Sequence, residues 1–198
     1  TYPGTEGFSE PENQAIKWFC EQHEFKLALN NHSYSNLLLY PFGYDYDQLT
    51  EDHDYFGAIS ELMVSQNGFA NILSSGLYPA SGDSDDWMYV PTDEKPKIFA
   101  FTPEIGNSSQ GFWPSSNEII DIAEGMMFMN LISAHLITDF ALVSDNSPLL
   151  LEALTGDVGY DIQCLGMDVP ADFTVEIVPV STNLIGVGTS NEHNAMEQ

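Results

Sequence analysis

Two hydrophobic periods alternate along this chain, and that alternation constrains its fold more than any other feature. Short apolar runs at residues 26–31, 36–42 and 97–105 read as strands. The stretches between and around them repeat apolar residues at helical spacing. Such a chain buries its strands by packing helices on a sheet, so an α/β layer fold is expected. The first helix should open at Ser9-Glu10-Pro11-Glu12, where Ser9 can cap, Glu12 can answer it and Pro11 suits the first turn. Ala15, Ile16, Phe19 and Cys20 share its apolar face. A second helix carries Tyr55, Phe56, Ile59, Leu62 and Met63 and is closed by Asn67-Gly68. A third is expected from Ser116 to about Phe140, with Ile119, Ile122, Met126, Met129 and Ala134 inward.

The character changes after Leu142. Asp145-Asn146-Ser147-Pro148 reads as a linker, and Phe173, Val175 and Ile177 then alternate with Thr174, Glu176 and Val178 as a half-buried strand. Two domains are therefore expected. Residues 1–141 would form a mixed β-sheet with flanking helices, and residues 142–198 the opening strands of an incomplete all-β domain of β-sandwich type. The chain begins with Thr1 and shows no signal peptide, and its first residues already read as a domain interior. The expectation is a fragment whose export signal lies upstream.

Charge excludes several classes of partner. Thirty acidic residues face four basic ones, all lysines, for a net charge of -26, and the sequence contains no arginine. Nucleic acid is excluded as a partner because phosphate binding needs a basic surface. Anionic membranes are disfavoured on the same ground. Cationic substrates or salty surroundings suit such a surface. No apolar run reads as long enough to cross a bilayer, since residues 126–142 are broken by Asn130, Ser133, His135 and Asp139. A monomer is expected. Cys20 and Cys164 lie far apart in sequence, and Cys20 on an apolar helix face reads as a free buried thiol.

Sites in α/β folds gather where strands end. His32 stands at one such end and Glu104 at another. A neutral imidazole can hold zinc there, and a carboxylate beside it can activate metal-bound water. One histidine does not make a metal site, so His32 reads equally as a core histidine bonded to backbone. Glu104, between Phe101 and Ile105, costs free energy unless it is paired or functional. Residues 76–87 mix Gly, Ser, Pro and Asp and read as an ordered functional loop. Glu51-Asp52-His53-Asp54 reads as a solvated loop and helix cap before it reads as a cation site. Asn31-His32-Ser33 and Asn107-Ser108-Ser109 match the N-glycosylation pattern, the first being discounted as buried at the site. His135 reads as structural and Met126, Met127 and Met129 as core packing.

Together these pieces resemble the zinc metallocarboxypeptidases of the carboxypeptidase A, B and T group. His32-Ser33-Tyr34, followed by Leu38-Leu39-Tyr40-Pro41-Phe42-Gly43-Tyr44, is similar to their third-ligand region. Tyr78-Pro79-Ala80-Ser81-Gly82 with Asp86-Trp87 resembles their substrate-closing tyrosine loop. Phe101-Thr102-Pro103-Glu104-Ile105-Gly106, continued by Gly111-Phe112 and Pro114, resembles the strand with their catalytic glutamate. Gly4 with Phe8-Ser9-Glu10-Pro11-Glu12 is similar to the helix start before the histidine strand, and the likeness runs from about Tyr2 to Phe140. The resemblance implies Zn2+ as cofactor, His32 as a zinc ligand and Glu104 as the general base on zinc-bound water. It implies that Tyr78 closes over the substrate's C-terminal residue and that Ser33 and Tyr34 line subsites beside a cis peptide. Asp83 and Asp85 would wall the pocket for the released residue, Asp85 standing where basic-specific members carry an aspartate. The implied partners are peptide or protein C-termini, Lys or Arg ends among them, outside the cell.

Two parts of that pattern have no counterpart in this sequence. The first metal motif should precede His32, and His23-Glu24 lacks its spacing. The arginines that clamp the substrate carboxylate and polarise the scissile carbonyl are absent, since there is no arginine. Their expected place is before Thr1, so the chain alone is not expected to bind zinc tightly or hydrolyse peptides. Other readings stay open. A cell-wall peptidase cutting beside diaminopimelate would use residues 83–85 in the same way. A non-catalytic peptide-binding relative is opposed by Glu104. A calcium-loaded structural module is motivated by the charge alone.

Overall fold

Strand β4 (Phe99–Glu104), buried at five of its six positions, organises the first part of the molecule. It pairs in parallel with β1 (Leu27–Leu29), Leu27 lying opposite Phe99. On its other edge it pairs antiparallel with β2 (Leu37–Tyr40), Leu37 lying opposite Glu104. A fourth strand, β3 (Ala70–Leu73), joins β2 in parallel, so the mixed sheet runs β1-β4-β2-β3. A strand paired on both edges and packed on both faces is apolar almost throughout, which is why Phe-Ala-Phe-Thr-Pro-Glu suits this place. Pro103 has no N–H, so it cannot donate to the β1 side. The continuous β1–β4 ladder stops, and His32 resumes it as an isolated bridge to Glu104.

The computed structural model describes residues 4–148, 154–180, 182–183 and 186–198. Thr1 and Tyr2, where the family likeness begins, lie outside these. The chain separates into two units, Thr1–Ser133 and Ala134–Gln198.

In the first unit the sheet is accompanied by α1 (Pro11–Glu21), α2 (His53–Val64) and a short α3 (Ser84–Tyr89); the long α4 (Ile119–Leu136) follows, its last three residues belonging to the second unit. Several expectations change. Ser9 does not cap α1. The N-cap is Glu10, while the Ser9 hydroxyl accepts from the Thr5 N–H and donates to Glu10, holding the turn before the helix. Of the expected α1 face only Cys20 is buried; Ile16 and Phe19 are 51% and 46% exposed. Within residues 76–87, read as a loop, α3 forms because Asp83 caps it by accepting from the Asp85 N–H.

Helix α4 corrects the sequence reading twice. It buries Met126, Met129, Ile132, Ser133 and Leu136, a stripe that leaves Ala134 outside, and Ile119 in its first turn is exposed. With eighteen residues it is also long and apolar enough to cross a membrane by length and composition, against the expectation that no segment is. The buried stripe takes up 28% of the helix, and Asp121 and Glu124 stand in its first half.

The second unit is β-rich. β5 (Ala141–Asp145) pairs antiparallel with β6 (Tyr160–Cys164), and β7 (Ala171–Val175) with β8 (Asn191–Met196). The alternation read through Val178 ends as strand at Val175. Cys20 and Cys164 are both buried and free.

The first unit's core is aromatic. Phe56 on α2 is fully buried, stacks on Tyr40 at 5.6 Å and meets Phe99 and Phe101 of β4 at 5.2 Å each. Replacing it by alanine removes the ring that joins α2 to two strands. Phe56→Ala should cost about 3–5 kcal/mol, measured as a shift of the urea midpoint; a loss below about 1 kcal/mol would show that the core collapses around the gap.

Candidate active site

Parallel pairing of β1 and β4 brings both C-terminal strand ends to one edge of the sheet. The His32 N–H donates to the Pro103 carbonyl at 2.9 Å and the Ile105 N–H to the His32 carbonyl at 3.0 Å, holding the two backbones in register. Their side chains meet: His32 Nδ1 lies 3.6 Å from Glu104 Oε1. The imidazole is 60% exposed and the carboxylate 10% exposed, so Glu104 is sheltered and His32 faces outward. The reading of His32 as a core histidine is thereby removed. Burial pushes the Glu104 carboxyl up, and His32 offsets part of the shift. Gly106 closes the strand at φ +92°, a conformation that glycine adopts without strain, and its carbonyl accepts from the Asn36 N–H.

A cavity of about 360 Å³ opens at this edge. His32, Glu104 and Thr102 form one wall, Tyr78 and Leu77 another, and Asp83, Ser84 and Gly43 a third. Tyr78, 63% exposed, stands at its rim. Of the candidate residues, His32, Glu104, Tyr78 and Asp83 thus share one cavity, whereas Ser33, Tyr34 and Asp85 are not among its lining residues. The Ser33–Tyr34 peptide is cis, and the Tyr34 ring packs edge-on against Phe112 at 4.9 Å.

Asp85 lies behind the wall. It is fully buried, accepting from Asn30 Nδ2 at 2.6 Å and from the Thr102 hydroxyl at 2.8 Å, so it ties α3 to β4 and to the segment after β1. Its pKa is pushed up to about 7, by burial first and then by Asp83 and Asp86, against the two hydrogen bonds. Asp86 accepts the Gly43 N–H on both oxygens, at 2.9 and 3.1 Å, and is pushed up to about 6, chiefly by burial. Gly43 has a packing reason: a Cβ there would stand 2.9 Å from Asp83 Oδ2 and 3.3 Å from Ser74 Cβ. At the other end of α3, the buried Lys95 donates to the carbonyls of Met88, Val90 and Pro96 at 2.8, 2.8 and 3.1 Å. Sequence reasoning missed Asn30, Thr102 and Lys95. Only Lys95 carried a signal, as one of four cations in an acidic chain.

A catalytic zinc centre takes three protein ligands as a rule. Among the described residues no group of three His, Cys, Asp or Glu side chains could hold a metal ion. Glu51 and Asp52, in the stretch weighed as a cation site, pair with Lys97. His32 offers one nitrogen and Glu104 stands beside it, so the residues present do not by themselves fit a zinc ion.

A family model described as zinc carboxypeptidase matches residues 1–129. Zinc carboxypeptidase A 1 of Anopheles gambiae is 35% identical over 137 residues, which is 63% of this chain and 30% of that protein. Carboxypeptidase B of Canis lupus familiaris is 34% identical over 134 residues, 63% of this chain and 31% of its own. The crystal structure of thrombin activatable fibrinolysis inhibitor matches with a TM-score of 0.56 at 28% identity, over 67% of this chain and 36% of that one. Carboxypeptidase A from Helicoverpa armigera matches at 0.57 and 22% identity, over 67% and 35%, a likeness of fold. The chain spans about a third of the length of these curated relatives and solved chains.

The buried aspartate has a consequence for stability. An unfolded aspartate titrates near about 3.9, whereas folded Asp85 is pushed up to about 7. Between these values the folded state holds a proton that the unfolded state has released, so Asp85's contribution is largest at the acid end and is lost as pH rises to about 7. Asp86 acts in the same direction up to about pH 6. Asp85→Asn keeps Asn30 as a donor and lets the Thr102 hydroxyl turn to accept, so it should flatten the profile. Urea unfolding at pH 4 to 7.5 checks this; an equally steep decline in the variant would assign the pH dependence elsewhere.

Proposed function

The chain belongs to the zinc carboxypeptidase family, and on that footing we propose that it supplies the sheltered carboxylate and the side-chain pocket of a peptidase that removes C-terminal residues, basic ones above all. The observation that carries the reading is Glu104 at 3.6 Å from His32 on the wall of a cavity that Tyr78 and Asp83 also line. Zinc, held by His32 together with ligands beyond those described, would supply Lewis-acid chemistry at this edge.

The chain's own residues have separable tasks. Glu104, with its pKa raised by burial, holds a proton more readily than an ordinary carboxylate, which suits a group that takes a proton from water and returns it to a leaving amine. Tyr78, exposed at the rim, is free to turn over a residue seated in the cavity. Asp83 presents a carboxylate to that residue's side chain, and a cation there would draw the charge of Asp85 out from behind the wall. A C-terminal Lys or Arg answers this arrangement, with peptide C-termini outside the cell as substrates and a monomer as the working form. The second unit is proposed as an accessory β domain.

A second reading, a relative that binds peptides without cleaving them, is favoured by one pair of facts. No three-ligand group is present among the described residues, and the sequence has no arginine. Turnover separates the two. In the longest natural polypeptide that contains this chain, chelator-sensitive release of C-terminal Lys or Arg is expected. Glu104→Gln should lower kcat by about 10²- to 10⁴-fold with KM little changed, whereas near-normal kcat would remove Glu104 from its role. Absence of turnover with retained peptide binding would establish the second reading.

The acidic wall is tested by specificity. Asp83→Asn and Asp85→Ala should each lower kcat/KM for peptides ending in Lys, relative to Leu, by about ten- to a hundredfold. The wild-type preference for Lys should grow as pH rises toward 7, as Asp85 yields its proton. Unchanged preference in both variants would reject the assignment of this pocket.

A further inference from the structure

One motif remains outside the peptidase reading. Asn107-Ser108-Ser109 lies three residues beyond Glu104, with all three residues exposed. From its geometry we infer that Asn107 is an acceptor for N-linked oligosaccharide. The inference goes beyond the catalytic reading and rests on it only for passage through a secretory route.

The turn arranges the asparagine for this chemistry. Asn107 Oδ1 accepts from the Ser109 hydroxyl at 2.6 Å and from the Ser109 N–H at 2.9 Å. The Asn107 carbonyl accepts from the N–H groups of Gln110 and Gly111, and its own N–H donates to Gln110 Oε1 at 2.9 Å. The carboxamide oxygen and the backbone are thus held locally, and no hydrogen bond among the described residues engages Nδ2 of this exposed residue. A hydroxyl donating to the amide oxygen makes the Nδ2 protons more acidic, so that a base can remove one as Nδ2 attacks carbon. All these bonds fall within residues 107–111, so the turn can form before the sheet does. Asn31-His32-Ser33, expected to be buried, is instead exposed at Asn31 and His32, and it differs in backbone conformation. Asn30 and His32 on either side of Asn31 donate to the Phe101 and Pro103 carbonyls, which keeps the segment extended. Those bonds are made across the sheet, and among the described residues no bond local to residues 31–33 holds Asn31 to Ser33 in a turn before the sheet forms.

The donor is a lipid-linked oligosaccharide diphosphate. Nδ2 bonds to C1 of the first sugar, the C1–O bond to the diphosphate breaks, and the lipid diphosphate leaves with that electron pair. The proton lost from Nδ2 passes to a carboxylate base of the membrane transferase.

The test is cell-free translation of the full 198-residue chain, fused to a secretion leader, with eukaryotic secretory microsomes. One glycan is expected, read as a glycosidase-sensitive mass shift. Asn107→Gln and Ser109→Ala should abolish it, while Asn31→Gln and Ser109→Thr should keep it. No shift, while a control acceptor in the same microsomes is modified, overturns the inference, as does a shift that survives Asn107→Gln. Because the leader is supplied, failure speaks against the acceptor site and leaves the peptidase reading and its extracellular setting untouched.

Discussion

The two-sided pairing of β4 is the constraint on which the first unit depends. One strand is parallel to β1 and antiparallel to β2, and its last residue is Glu104. Parallel pairing puts the ends of β1 and β4 on the same edge, and the break at Pro103 lets His32 rejoin the ladder directly opposite the glutamate. Antiparallel pairing with β2 brings Leu37 opposite Glu104, so the chain leaving the histidine turn re-enters the sheet beside the same carboxylate. The Phe56 cluster then backs the strand with aromatic packing. The position of the acid is therefore a property of the sheet and not of a loop.

The opposite wall is built on another principle. α3 is a short helix, too short for propensity to hold it, and it is fixed by polar groups at both ends. Asp83 caps its start, Asp85 joins it to Thr102 and Asn30, Asp86 grips the Gly43 N–H, and Lys95 takes up carbonyls at its end. A wall held by carboxylates responds to pH and to cations; at the sheet edge Glu104, its pKa raised by burial, titrates as well, but its backbone position is fixed by strand pairing. The cavity therefore combines a sheet edge whose strand pairing positions Glu104 with a wall of carboxylates that responds to the charge of what enters.

Much of this was legible in the sequence. The strands of the sheet's centre, the helix carrying Phe56 and the placing of His32 and Glu104 at strand ends follow from periodicity and from the rule that α/β sites sit at strand ends. What sequence could not show came from competition between local signals and packing. Ser9-Glu10-Pro11-Glu12 reads as a capping box, yet Ser9 spends its hydroxyl on the preceding turn. Asp83-Ser84-Asp85-Asp86 reads as a loop, because a six-residue helix stabilised from outside has no period of its own. The inward face of α4 was misplaced because the helix is apolar nearly all round, so hydrophobicity does not mark which stripe is covered.

The sequence by itself determined the fold class, the family pattern and the candidate acid, because these depend on residue order and spacing along one strand or helix. Tertiary structure alone decided that His32 faces outward beside a sheltered Glu104, and that Asp83 lines the cavity while Asp85 is buried behind it. It also decided that the described residues bring together no three-ligand metal group. The physical reason is that ligation, burial and pKa depend on distances between groups far apart in the chain. Those distances are set when β4 is paired on both edges, and no local pattern contains them.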